Sequence, residues 1–125
     1  MESMAEKREF LRADISVFLT EENCDAMTLA RATDISERGI HYIMPLGPVP
    51  REPESLFIEF CLPDDLVPVR AGGRVVSDLS QERTTGRAIE FTRLSSRDAE
   101  RIRRYVGRRK RAELMESLRQ EHLLN

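Results

Sequence analysis

Apolar residues fall on every second position in one stretch of this chain after another. Between Ala13 and Thr20, Ile15, Val17 and Leu19 alternate with Asp14, Ser16 and Thr20; further on, Leu56, Ile58 and Phe60 alternate with Phe57, Glu59 and Cys61. A period of two puts successive side chains on opposite sides of an extended backbone, so each stretch reads as a strand with one buried face. Phe18 breaks the rule, an aromatic ring on the otherwise polar side of its strand.

The intervals between these stretches are short. Asn23, Cys24 and Asp25 suit a turn, and Met27 to Ala32 reads as the returning strand of a hairpin. Asp34 is expected to begin a tight turn, after which Ile40, Tyr42 and Met44 share one face. Pro45, Pro48, Pro50 and Pro53 mark a loop, because proline cannot donate to a ladder. After Leu56 to Cys61, a turn at Pro63-Asp64-Asp65 leads to an expected strand from Val67 to Val76, in which Gly72 and Gly73 suggest a bulge or sharp bend. A polar connection from Asp78 to Thr85 and a last short strand from Gly86 to Phe91 complete the pattern. About six strands with no room for helical crossovers predict a mainly β protein, an antiparallel barrel closed or nearly so.

The end of the chain changes period. Ser95 and Ser96 are candidate N-caps, Asp98 suits a first helical turn, and Ala99, Ile102 and Val106 form an apolar stripe that would pack a helix on the barrel. Gly107 is expected to end or weaken that helix, leaving Arg108 to Leu124 as a separate helical tail with Ala112, Met115, Leu118 and His122 on one side and Leu114 beside them. At 125 residues the chain suits one domain. The expected division is a flexible N-terminus over 1–6, the domain over 7–106 and a helical extension over 107–125.

Composition narrows the function. Lys and Arg number 20 against 22 Asp and Glu, a net charge of -2, so any anion site must be local. Apolar residues at 40% and charged ones at 34% suit a folded, soluble chain, and no apolar run reaches the eighteen or so residues of a membrane span, so no membrane insertion and a cytoplasmic location are expected. Cys24 and Cys61 form no CxxC pair and only two histidines accompany them, which points to free thiols and no metal site. There is no GxSxG, HExxH or P-loop, and His41, His122, Glu59 and Glu90 stand in no catalytic spacing, so no enzyme and no catalytic residue is expected.

Two short patterns remain. Arg8 and Arg12 form RxxxR just before the first strand; Asp34, Ser36 and Gly39 form DxSxxG between the second and third. RxxxR recurs at Arg70/Arg74, Arg83/Arg87 and elsewhere, so alone it discriminates nothing, whereas DxSxxG is rare and the order of the two is the informative part. In this order, and with Gly86-Arg87-Ala88-Ile89-Glu90-Phe91 leading through Leu94-Ser95 into a helix, the chain from about Lys7 to Val106 resembles the PilZ domain family, bacterial receptors for the second messenger cyclic di-GMP. The resemblance implies a six-stranded antiparallel PilZ-like β-barrel with a C-terminal α-helix. Its N-terminal segment, carrying Arg8 and Arg12, would fold over a ligand held against the turn from Asp34 to Gly39. It also implies no cofactor beyond that ligand. Lys7 stands where the family often has arginine, and implies fewer stacked ligand copies.

The chemistry of these residues suits such a ligand. A guanidinium can grip phosphate bidentately or lie flat on a purine, while the Lys7 ammonium does only the former well. Asp34 can accept from the guanine N1–H and N2–H2 edge, Ser36 can donate and accept, and Gly39 permits positive φ or a close backbone approach. A plain Asx-turn at Asp34 with a left-handed Gly39 explains the same turn without a ligand. Glu37 and Arg38 read as a surface pair. Two further functions stay open. One is a ligand-independent adaptor working through the tail, with a protein partner or a second copy of the chain. The other, less favoured, is nucleic-acid binding by the basic run from Arg101 to Arg111, which has Tyr105 as its sole aromatic and no reading motif.

Overall fold

In a computed structural model, the structure describes residues 11–23, 26–45, 55–81 and 84–124. Among the described residues there are six strands, β1 (Ala13–Glu22), β2 (Met27–Ile35), β3 (Gly39–Pro45), β4 (Leu56–Phe60), β5 (Val69–Gln81) and β6 (Thr84–Arg93), followed by one helix, α1 (Ser96–Leu124). The strands close into a barrel in the order β1-β2-β3-β6-β5-β4, every neighbouring pair antiparallel. Closure leaves no open edge, which is how a sheet this small avoids presenting unpaired backbone groups.

The alternation read from the sequence sets which side chains enter the barrel. Ile15, Leu19, Ile40, Tyr42, Met44, Leu56, Ile58 and Phe60 are all buried, as are Ile35, Val69 and Ile89. Each large aliphatic side chain so removed from water favours the fold by about 1.5–3 kcal/mol before entropy is charged against it. Ile102 and Val106 of α1 join the same core. The helix starts where Ser95 caps it: the Ser95 hydroxyl accepts from the Asp98 N–H at 3.1 Å and the Ser95 carbonyl from the Ala99 N–H at 2.9 Å. In the β1–β2 connection the Asn23 side chain accepts from the Ala26 N–H at 3.2 Å, while Cys24 and Asp25 lie outside the described residues.

Several boundaries differ from the sequence expectation. The fifth strand begins at Val69, because Val67 is exposed in the preceding loop, and it continues to Gln81. The stretch from Asp78 to Thr85 is therefore largely a hairpin, with Asp78 opposite Arg87 and Gln81 opposite Thr84. Backbone pairing carries the polar residues, which show no alternation to detect. The register does shift between Gly72 and Gly73, where the bulge was expected. Asp34 lies inside β2, and the tight turn begins only after Ile35. Gly107 does not end the helix: α1 runs through it unbroken to Leu124. A single glycine costs a helix only about 1 kcal/mol, and the residues after it, Arg108 to Met115, are all strong helix formers.

Candidate ligand-binding site

Residues from the two sequence motifs meet at one end of the barrel. Arg12, just before β1, donates from Nη1 to Oδ1 of Asp34 at 2.5 Å. Asp34 faces Asp14 across the β1–β2 ladder and His41 across the β2–β3 ladder. Two carboxylates on facing strands repel, and the Arg12 guanidinium relieves that repulsion. The pair is largely exposed, at 57% for Arg12 and 34% for Asp34, so it contributes at most about 1 kcal/mol to stability. It is a contact that a better partner can displace at little cost.

The turn that follows is held from inside. The Ser36 N–H donates to the Gly39 carbonyl at 2.9 Å, the Ser36 hydroxyl accepts from the Arg38 N–H at 3.1 Å, and the Phe91 N–H of β6 donates to the Arg38 carbonyl at 2.8 Å. Ser36 is only 2% exposed. It is thus the serine oxygen, not that of Asp34, that closes the turn, and Asp34 stays available at the surface. Gly39 does not have positive φ. It is needed for proximity: a Cβ there would lie 2.2 Å from the Ile89 carbonyl oxygen of β6.

Helix α1 braces the same region. Glu37 accepts from Nη2 and Nε of Arg103 at 3.0 and 3.2 Å, which ties the turn to α1. Hydrogen bonding to Glu37 pushes the Arg103 pKa further up. The Tyr105 hydroxyl donates to the Asp14 carbonyl at 2.8 Å, and burial raises its pKa. A cleft of about 240 Å³ lies between Leu11, Glu37, Arg103 and Val106, beside Arg12. It is smaller than most ligand pockets, which run to about 300–1,000 Å³. Two larger grooves, of about 480 and 550 Å³, lie elsewhere, along the loop from Leu62 to Asp64. Arg8 and Lys7 lie outside the described residues, so of the six sequence candidates Arg12, Asp34, Ser36 and Gly39 are brought together here.

A second polar cluster escaped the sequence reading. Arg87 of β6, fully buried, donates to Glu21 of β1 at 2.6 Å and to Asp78 of β5 at 2.8 and 3.2 Å. The Tyr42 hydroxyl also donates to Glu21. Burial, then the hydrogen bond to Glu21, drives the Tyr42 pKa far up. Burial alone would lower the Arg87 pKa, but the bonds to Asp78 and Glu21 raise it. The signal was present in the pattern: Glu21 continues the inward series of Ile15 and Leu19, and Arg87 the inward series of Ile89. Opposite charges at two inward strand positions announce an ion pair across the barrel.

Among the described residues no group of three or more His, Cys, Asp or Glu side chains is placed to hold a metal. None of the described helices is long and apolar enough to cross a membrane.

A closed six-stranded barrel, a buried-serine turn beside an exposed Asp–Arg pair and a bracing C-terminal helix define a small closed antiparallel β-barrel protein. The PilZ domain family model matches residues 6–108, and the chain belongs to that family. Among solved structures, the chain resembles the Inhibitor of motility (MotI/DgrA) of Bacillus subtilis, with a TM-score of 0.73 at 18% identity over 82% of this chain and 51% of that one. It therefore spans about half the length of that protein. It also resembles the PilZ domain of YcgR from Escherichia coli, described with cyclic di-GMP, with a TM-score of 0.71 at 14% identity over 89% of this chain and 97% of that one. No curated protein matches the chain.

Proposed function

We propose that this chain is a non-catalytic cyclic di-GMP receptor that couples ligand binding to a protein contact. The observation that carries the reading is the Arg12–Asp34 pair, which joins the two motifs on an exposed barrel end. Family membership and the likeness to a PilZ domain described with cyclic di-GMP support it. In this reading Asp34 accepts from a guanine edge, and Arg12 exchanges its carboxylate partner for a phosphate or a purine face. Arg8 supplies the second guanidinium, and Lys7 contributes charge without a stacking plane. Ser36 and Gly39 act through the turn they hold, which fixes where Asp34 stands. Ligand capture reorganises the segment around Arg12, next to Asp14 and the α1 contacts of Glu37 and Tyr105, and so offers a route from the site to the helix. A cytoplasmic location fits a receptor for an intracellular messenger.

The adaptor reading shares the tail as its working surface and differs only in lacking the ligand. Nucleic-acid binding by the basic run is disfavoured by a specific observation. Arg101 is engaged by Asp65 and Asp98, Arg103 by Glu37 and Glu100, and Lys110 by Glu113. The test is titration of the wild type and Asp34→Ala with cyclic di-GMP and cyclic di-AMP. Asp34→Ala is expected to weaken cyclic di-GMP binding and narrow its preference over cyclic di-AMP. Unchanged discrimination in a folded variant contradicts the role given to Asp34.

A further inference from the structure

Strict alternation along β2 would bury Asp34. Ala30 and Ala32 are both buried, and Asp34 is next in that series. One extra residue changes this: the β2–β3 register passes from Ala32 opposite Tyr42 to Asp34 opposite His41, so Thr33 is a bulge. The buried series resumes at Ile35, and Asp34 is left partly exposed on the outer face. Bulges of this kind re-aim a side chain. Here the bulge sets Asp34 directly beside His41, since residues facing each other across an antiparallel ladder share a face, with Cβ atoms about 4.5–5.5 Å apart.

The His41 ring is held in place. Its Nδ1 lies 2.7 Å from the Thr33 hydroxyl, which also approaches the His41 carbonyl at 3.2 Å. A hydroxyl has one proton to give, and the shorter contact takes it. Nδ1 is then an acceptor, which puts the hydrogen of a neutral ring on Nε2. Among the described residues Nε2 has no hydrogen-bond partner. On its other side His41 faces Ala88 of β6, whose methyl group is too short to cover the ring. Asp34 and His41, both partly exposed, thus present an acceptor and a donor side by side on one surface.

We propose that His41 is a base-reading residue of this site, donating from Nε2 to O6 of the guanine whose N1–H and N2–H2 groups Asp34 accepts. The inference rests on the receptor reading and adds to it the group that selects guanine at its sixth position. The guanine edge runs N2–H2, N1–H, O6, donors followed by an acceptor. A carboxylate satisfies the donors, and the oxygen needs a donor beside that carboxylate. Adenine carries an amino group where guanine has O6, so the Nε2–H would face another donor and stay unpaired.

The test is calorimetric titration of wild type, His41→Ala, His41→Gln and His41→Phe with cyclic di-GMP, cyclic di-IMP and cyclic di-AMP, with thermal unfolding of each protein alongside. Hypoxanthine keeps O6 and N1–H and lacks the 2-amino group, so cyclic di-IMP retains the contact assigned to His41 while losing part of that assigned to Asp34. His41→Ala is expected to bind cyclic di-GMP and cyclic di-IMP about three-fold to ten-fold more weakly, the loss of one neutral hydrogen bond, with cyclic di-AMP binding and Tm little changed. His41→Gln, whose amide can donate, should recover part of the loss; His41→Phe, a ring with no donor, should not. Full affinity in a folded His41→Ala, an equal loss for all three ligands, or recovery in His41→Phe, which is stacking, overturns the inference and leaves the receptor reading standing. A wild type that binds none of the three removes the receptor reading and this inference with it.

Discussion

Replacing Gly39 separates two physical explanations for the glycine of DxSxxG. If the position required positive φ, Asn would be tolerated better than Ala, because Asn adopts the left-handed conformation more readily. The backbone here is not left-handed, and the obstacle is the Ile89 carbonyl, 2.2 Å from where a Cβ would sit. That oxygen belongs to backbone and cannot rotate away, so β3 and β6 must separate by roughly 1 Å to restore ordinary contact. Their separation strains the Phe91–Arg38 hydrogen bond that anchors the turn. Overpacking of this kind costs about 1–3 kcal/mol, which for a chain of this size lowers Tm by about 5–15 °C. Thermal and urea unfolding of Gly39→Ala and Gly39→Asn is the assay. Both variants are expected to be destabilised, with Asn no better than Ala. An Ala variant melting within a degree of wild type, or an Asn variant clearly more stable than Ala, refutes the reasoning.

Arg87→Ala strands the Glu21 carboxylate in the barrel, where one of its oxygens already lacks a partner, and is expected to cost about 3–5 kcal/mol in urea unfolding. The double replacement of Arg87 and Glu21 by Met should cost less than Arg87→Ala alone, and the opposite order contradicts the ion-pair account. Hydrogen bonding from Arg101, then from the Val67 N–H, lowers the Asp65 pKa. A carboxyl depressed in the folded state adds stability that is present above its unfolded pKa and is lost as pH falls through the folded one. The stability gap between wild type and Asp65→Asn should therefore close on acidification below the ordinary carboxylate range; a gap that widens there is incompatible with this tie. Arg12→Ala, at an exposed position, should leave Tm almost unchanged while weakening cyclic di-GMP binding about ten-fold to a hundred-fold, the loss of one charge-assisted contact. Equal affinity of Arg12→Ala and wild type removes Arg12 from the site.

The barrel was legible because its strands need one buried face, and the period of two records which residues supply it. Ile40, Tyr42 and Met44, or Leu56, Ile58 and Phe60, are buried as that period requires. The β5–β6 hairpin was shortened in the sequence reading because backbone hydrogen bonds, which leave no mark on side-chain pattern, extend it through polar residues such as Asp78 and Ser80. The break expected at Gly107 failed because the cost of one glycine is small beside the helix that continues past it. At the candidate site, Arg12 and Asp34 were singled out by the order of the two motifs and the family resemblance it carries, and the structure pairs them. The strap from Arg103 to Glu37 was not, since it depends on where the helix crosses the barrel end; the Ser36 hydroxyl closes its own turn locally, where Asp34 had been expected to. Sequence separation hides such crossings.

Isothermal titration calorimetry of the folded wild-type chain with cyclic di-GMP, with cyclic di-AMP as the control, tests the receptor assignment most directly. Saturable binding of cyclic di-GMP at micromolar or tighter affinity, about −8 kcal/mol or better, with a clear preference over cyclic di-AMP, is the predicted result. No saturable heat up to about 1 mM ligand, where the binding free energy is only about −4 kcal/mol, contradicts it.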